Sequence, residues 1–427
     1  MKSWFLRRMA DSSDAVEWKR EWMAGLTSFF TAAYILVVHP MILRDAGIPL
    51  GAGVAATVAA TAFGCLWMAF GARAPVLLIP GMGVNAFFSY TLIQSLGLSW
   101  QEGLAAVTVS GILFWMAAAT RLGSRLFQAV PASLKHGVTA GIGLFLAFIG
   151  LQKAQWIQTD ENTMVALGDF GQPVPLVTVT GLLITLLLYS RKVPGSLLWG
   201  ILVTTLLTYG IGGMPDANTP SPRLMEFGTV LFSAKWNLFH YPFWVAVFSL
   251  TMIVVFENMG LLQGMLSDPK QFPKAYRATA VSTVASGFLG TSPTVAAAES
   301  ASGIAEGGRT GIPPLVTGLL FLLAFPALPL LGKIPDHAVA PVLIVIGALM
   351  VQSVQHIPFS DFSEGFPAFF ILAGIPLTSS IADGLAFGFI TYPLLKTAAG
   401  KWRQVPVPVY LIAGLFLANL IAVSMIH

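Results

Sequence analysis

The sequence predicts an all-α polytopic membrane protein. It comprises two inverted repeats of seven spans, fourteen in total, with short extended segments in spans 3 and 10 and an additional C-terminal hydrophobic segment. Three observations predict it. Of the 427 residues, 56% are hydrophobic and only 10% charged, whereas a soluble domain needs about 25% charged residues to cover its surface. Apolar blocks of about 20 residues, the length that crosses about 30 Å of hydrocarbon, recur along the chain. These blocks fall into two groups of seven around a polar stretch, and an odd number forces the second group to cross the membrane in the opposite sense. The composition excludes a soluble protein, a disordered chain and a disulfide scaffold. The single cysteine, Cys65, permits neither an intramolecular disulfide nor a cysteine-rich metal site. The net charge of +4 is spread over short loops and makes no nucleic-acid surface.

Taken in order, residues 1–21 are charged, lack a separate apolar core and a small-residue cleavage site, and read as a cytoplasmic lead-in rather than a signal peptide. The first repeat, 22–212, holds the blocks 22–43, 51–71, 75–94, 101–120, 131–152, 173–190 and 194–212. An extracellular linker follows at 213–239, marked by Pro215, Asp216, Pro220 and Arg223. The second repeat, 240–398, holds 240–266, 274–290, 292–305, 311–331, 337–355, 363–377 and 380–398. A last segment, 405–425, either spans or lies along the interface. With the N-terminus inside, 18 of the 23 Lys and Arg residues fall in cytoplasmic loops, as the positive-inside rule requires.

The third and tenth blocks are interrupted. Leu77-Leu78-Ile79-Pro80 leads into Gly81-Met82-Gly83-Val84-Asn85-Ala86, and Gly290-Thr291-Ser292-Pro293-Thr294 leads into an alanine run. Each reads as a short extended segment followed by a half-helix that starts within the membrane. Such corresponding breaks are the best sequence pointer to a midplane binding site, because non-helical backbone at that depth survives only against protein or a cavity. A weaker echo links the fifth and twelfth blocks: Gly143 follows Pro131 by twelve residues, as Gly347 follows Pro335. The Gly81–Ala86 run also fits G-x-G-x-x-A, but no βαβ unit surrounds it. Its glycines serve close approach of backbone and ligand, and Asn85 supplies an amide.

The carboxylates carry the sharpest signal. Of 19 Asp and Glu residues, all but two read as loop or span-end residues, Glu21 among them. Glu257 lies deep in the eighth span and Glu299 inside the tenth half-helix. Each costs about 2.5–3.5 kcal/mol at the bilayer centre on insertion scales. The bland alternative is a structural carboxylate bonded to Ser, Thr or backbone N–H. No Lys or Arg reaches a similar depth, which argues against a simple anion site. It favours a substrate that donates hydrogen bonds, with a proton or cation as co-substrate. An amide-like N–H beside an exocyclic amine would match one carboxylate bidentately. Burial favours the neutral form of an unpaired carboxyl, which suits a proton carrier. Thr31 and Tyr34 are polar groups inside span 1 that face a partner helix. Phe87, Phe88 and Phe256 flank the polar candidates and could stack on a flat ring, although packing explains most single phenylalanines. His39, before Pro40, reads as a helix-end or interfacial residue. The histidines form no metal cluster, and no cofactor is expected.

Thr27 through Pro40 resembles the first-span signature of the adenine/guanine/hypoxanthine permeases, a branch of the xanthine/uracil permease superfamily. Pro80-Gly81-Met82-Gly83-Val84-Asn85-Ala86-Phe87-Phe88 is similar to their third-span motif. Phe256-Glu257-Asn258-Met259-Gly260 sits where their eighth-span acidic motif belongs. Gly290-Thr291-Ser292-Pro293-Thr294, with Glu299-Ser300-Ala301-Ser302-Gly303, resembles their tenth-span signature. The resemblance implies a core domain of 22–120 plus 240–331, a gate domain of 131–212 plus 337–398, a homodimer through the gate, and an elevator-like movement of the core. It implies a purine nucleobase:proton symporter in the plasma membrane, with Glu257 and Glu299 as substrate-binding acids and proton carriers and Asn85 as the third-span amide. Phe256, Phe87, Thr294 and Thr31 complete the expected substrate site. The chain departs from many relatives in having Glu257-Asn258 where they have Asp-Thr, His39 where they have Asn, and Pro293 and alanines where threonines are common. Alternatives are a xanthine or uracil permease of the same fold, or a sulfate or bicarbonate carrier. An intramembrane enzyme is disfavoured, because the sequence shows no buried Ser/His pair and no H-E-x-x-H.

Overall fold

The computed structural model describes residues 17–120, 130–160, 163–212, 226–239, 241–268 and 270–426. Most of the expected lead-in (1–16) and of the linker (213–225), together with Arg121, Arg125 and His240, lie outside the described residues. Among these, seven helices are long and apolar enough to cross a membrane: Trp18–Asp45, Leu50–Ala72, Trp100–Ala119, Ala132–Lys153, Pro173–Ser190, Tyr241–Met265 and Asp336–His356. Shorter apolar helices run over Ser196–Gly210, Ile312–Leu323, Phe362–Thr378 and Val407–Ala418. Two further 18-residue helices cover Gln271–Phe288 and Ile381–Ala398. Helix ends fall within a few residues of the apolar blocks because local chemistry stops them. Ser99 and Glu102 form a reciprocal capping box. Pro173 opens its helix at a position where the missing N–H costs nothing. Asp361 and Ser380 cap the helices they precede.

The two interrupted blocks meet. Strand β1 (Leu78–Pro80) pairs antiparallel with a second strand (Thr294–Ala296), with Leu78 opposite Ala296 and Pro80 opposite Thr294. All six residues are buried. The ladder extends through Ala297 N–H to Leu77 O at 3.0 Å, Leu77 N–H to Ser300 Oγ at 2.9 Å and Ala296 N–H to Asn258 Oδ1 at 2.7 Å. The extended backbone is thus satisfied by protein, as its depth demands. A helix starts after each strand, at Met82 and at Ser300. Within the first span, Trp18–Asp45, regular helical bonding is interrupted at Ala33-Tyr34, between the stretches Trp18–Ala32 and Ile35–Asp45.

Small residues set the helix crossings, as in other membrane bundles. A Cβ on Gly143 would lie 2.7 Å from Gly347 O, and one on Gly347 would lie 2.4 Å from Gly143 O. The two echoed glycines therefore face each other at one crossing. Gly181 and Gly200 do the same against Thr204 and Thr185, whose hydroxyls return to the carbonyls of Gly200 and Gly181. The helix Trp100–Ala119 packs on Tyr241–Met265 and Gln271–Phe288, while Ala132–Lys153 packs on Ala340–Val351 and Phe362–Thr378.

Three features differ from the sequence reading. Glu21, placed at a span end, is 3% exposed. It accepts from Arg309 N–H at 3.0 Å and from the Thr310 hydroxyl at 3.0 Å, a long-range cap that local pattern does not reveal. His39 is not at a helix end: it is fully buried within Ile35–Asp45, because Pro40 is accommodated inside that helix. An antiparallel hairpin, Ile157–Asp160 with Met164–Leu167, adds strand structure after Lys153.

Candidate functional site

Glu299 occupies the N-cap position of the helix Ser300–Ala305, one residue before the half-helix rather than inside it. The preceding strand is pinned to β1, so the strand pairing fixes where the carboxylate emerges. Tyr34, at the break in the first span, donates its hydroxyl to Glu299 Oε1 at 2.5 Å. The same turn is tied by Ser302, which donates to Glu299 O at 2.7 Å and to Thr31 Oγ1 at 3.2 Å. Thr31 in turn donates to Thr27 O at 2.7 Å. Tyr34 is buried, whereas Glu299 is partly exposed and its neighbour Ala298 is exposed.

Glu257 projects from the helix Tyr241–Met265, which packs against the half-helix beginning at Ser300. Its Oε1 lies 3.8 Å from the position a Cβ would take on Gly81. Gly81 is the extended N-cap residue of the other half-helix and has no side-chain cap, so the first turn presents its backbone N–H groups on that side. Glu257 is partly exposed, as is Phe256 beside it. The adjacent Asn258 is buried, with Nδ2 donating to Val254 O at 2.6 Å while Oδ1 holds the strand. One residue of the pair secures the scaffold while the other stays partly exposed.

The remaining sequence-predicted residues divide. Thr31 joins the Glu299 cluster. Asn85 is fully buried, with Nδ2 donating to His39 O at 3.4 Å and Oδ1 unpartnered among protein atoms. Thr294 is fully buried and its hydroxyl engages Ser282 Oγ at 2.6 Å and Ser286 Oγ at 2.9 Å, which fastens the strand to Gln271–Phe288. Phe87 and Phe88 are completely buried in the core. Two residues sequence reasoning left outside the site lie in it or behind it. Tyr34 contacts Glu299, and His39 Nε2 meets Thr291 Oγ1 at 2.7 Å. The polar character of Tyr34 inside an apolar span was the available signal; the partner 265 positions away was not. Among the described residues no group of three or more His, Cys, Asp or Glu side chains could hold a metal ion. A separate cavity of about 660 Å³, lined by Asp45, Tyr90, Gln94, Phe145 and Lys153 among others, does not include either deep carboxylate.

The arrangement is two carboxylates beside the starts of two half-helices, one carboxylate at each start, and one of them accepts from a phenol. It can accept hydrogen bonds from a planar donor edge and can exchange a proton. The model described as the Permease family, of xanthine/uracil type, matches residues 19–387. The chain is 45% identical over 390 residues to a nucleobase transporter, PlAzg2, of Paenibacillus larvae, covering 88% of this chain and 77% of that one. It is 37% identical over 419 residues to the guanine/hypoxanthine permease PbuO of Bacillus subtilis, covering 94% and 97%. It is 34% identical over 418 residues to the adenine permease AdeP of Escherichia coli, covering 95% and 93%. Among solved structures, the transmembrane domain of the cyanobacterial bicarbonate transporter BicA superposes with a TM-score of 0.64 at 14% identity, over 86% of this chain and 97% of that one. The murine anion transporter Slc26a9 superposes with a TM-score of 0.64 at 12% identity, over 94% and 72%. At that identity the likeness is one of fold.

Proposed function

Because the chain belongs to the xanthine/uracil permease family, in its adenine/guanine/hypoxanthine branch, and is therefore a permease and not an enzyme, we propose that it transports purine nucleobases in symport with protons. The observation that carries the reading is the convergence of Glu299 and Glu257 on the two half-helix starts. In this proposal Glu299 accepts hydrogen bonds from the base edge. Glu257 binds the substrate or carries the coupling proton, and Phe256 stacks on the ring. Asn85 supports the third-span half-helix from behind. No permanent countercharge faces the carboxylates in the described bonds, so a proton is the simplest means of neutralising them during transit.

The proposal includes fourteen spans in two inverted repeats. The antiparallel pairing of β1 with Thr294–Ala296 and the reciprocal contact of Gly143 with Gly347 support it, since both join elements at corresponding positions of the two halves. A core of 22–120 plus 240–331 moves, elevator-like, against a gate of 131–212 plus 337–398. The packing of Trp100–Ala119 on the eighth and ninth spans, and of Ala132–Lys153 on the twelfth and thirteenth, supports that division. A plasma-membrane location, a cytoplasmic N-terminus and a homodimer through the gate belong to the same reading.

A xanthine or uracil permease is the nearest alternative, and an anion carrier is the alternative the shared fold favours. Counterflow in proteoliposomes with labelled adenine, guanine, hypoxanthine, xanthine, uracil and sulfate separates them. Purine exchange accelerated by an inward proton gradient is expected. Exchange of sulfate alone, indifferent to pH, would overturn the reading.

A further inference from the structure

We propose that Tyr34 sets the specificity of the purine site by hydrogen-bonding one oxygen of Glu299, so that this oxygen is a weaker acceptor for a base than its partner oxygen. This rests on the purine reading above. An ionised carboxylate has two oxygens that can accept in parallel from a two-donor edge. Here Oε1 already accepts from the Tyr34 hydroxyl at 2.5 Å. Tyr34 is 1% exposed, so the phenol cannot swing into solvent to make room. Ser302 fastens the backbone carbonyl of Glu299 and links this turn to Thr31, which fixes where the side chain starts.

The purines differ in what they bring to such a site. The N1–C2 edge of hypoxanthine carries one donor, N1–H. The same edge of guanine carries two, N1–H and the 2-amino group, spaced to meet both oxygens of one carboxylate. With Oε1 already accepting from the phenol, its remaining lone pair is a weaker acceptor for the 2-amino group of guanine, and desolvating that group offsets much of what its presence would otherwise contribute. The site therefore treats hypoxanthine and guanine nearly alike. Tyr34→Phe keeps the ring and frees Oε1.

The test measures kcat/KM for guanine and hypoxanthine in the same proteoliposomes, so that the ratio is independent of the amount of folded protein. In the wild type the two are expected within about threefold of each other. In Tyr34→Phe the guanine-to-hypoxanthine ratio is expected to rise roughly tenfold, the worth of one charge-assisted hydrogen bond. A wild-type preference for guanine of tenfold or more, or an unchanged ratio in Tyr34→Phe, overturns the assignment. Should Tyr34→Phe not transport, the ratio of the dissociation constants of the two bases is read instead from their protection of the detergent-purified variant against thermal unfolding. A tenfold rise in that ratio supports the assignment and an unchanged ratio overturns it. Purine transport with an unchanged ratio removes only the role of Tyr34. A wild type that neither binds nor moves any purine removes the underlying reading as well.

Discussion

Glu257 sits in an apolar helix where an acid costs about 2.5–3.5 kcal/mol, and no ion pair offsets it among the described salt bridges. Glu257→Leu is therefore expected to leave the melting temperature in detergent unchanged or raised while uptake falls roughly a hundredfold, as when a charged hydrogen-bonding group is lost from a site. A lower melting temperature with uptake retained would assign the residue to the scaffold. Asp361 behaves in the opposite way. It accepts from Ser363 and from Lys401 Nζ at 2.9 Å, and these partners hold its carboxyl well below the usual carboxylate range. A depressed folded value means its contribution to stability is complete above the unperturbed value of about 4 and is lost as pH falls below it. The melting-temperature difference between wild type and Asp361→Asn should accordingly be constant from pH 7 to pH 5 and shrink on further acidification. At this scale the sequence was informative where a residue contradicted its surroundings. Glu257 and Glu299 stood out because nothing charged accompanied them. Glu21 did not, because it adjoins charged neighbours and its burial depends on N–H groups nearly 290 positions away. The burial of His39 was hidden because the following proline suggested a helix end.

At the scale of elements, the apolar blocks were legible because a membrane helix must satisfy its own backbone and show lipid an apolar face. The strands Leu78–Pro80 and Thr294–Ala296 were legible as breaks, from their prolines and glycines. Their pairing to each other was not, since three-residue strands carry no register signal of their own. The pairing of Ile157–Asp160 with Met164–Leu167, two strands of four residues each, was no more legible. The crossing of Ala132–Lys153 with Ala340–Val351 makes a firm prediction. Gly347→Val forces atoms into the space held by Gly143 O and Ala147, and is expected to cost about 1–3 kcal/mol by overpacking. Gly414→Ala, where an added Cβ meets nothing within 4 Å, is the control and should melt with or above the wild type, because alanine favours the helix it sits in. Equal melting temperatures for both variants would contradict the close crossing.

At the scale of the whole molecule, the composition and the apolar blocks were enough to predict a helical membrane protein, and the family match and shared fold agree on a helical membrane permease; its division into two inverted halves belongs to the proposal. What they did not foretell is how the parts are tied at the end where the first span finishes. Adjacent residues of opposite charge reach opposite partners there: Asp45 Oδ2 binds Lys153 Nζ at 2.8 Å and Arg44 binds Asp336. In the proposed division the Asp45–Lys153 pair joins core to gate, while Asp336 stands one residue before the second gate segment, so the proposed elevator movement would have to break the first pair and strain the second. Neutralising Lys153 and Asp336 together should change the rate of exchange more than the affinity for the base, measurable as an altered maximal rate at a nearly constant KM.

The most direct test of the two-carboxylate purine site is uptake of labelled hypoxanthine by proteoliposomes holding the wild type or Glu299→Ala, with an imposed inward proton gradient. Concentrative uptake by the wild type, abolished by an uncoupler and absent in a folded Glu299→Ala protein, is the predicted result. Normal uptake by Glu299→Ala, or none by the wild type, would contradict it.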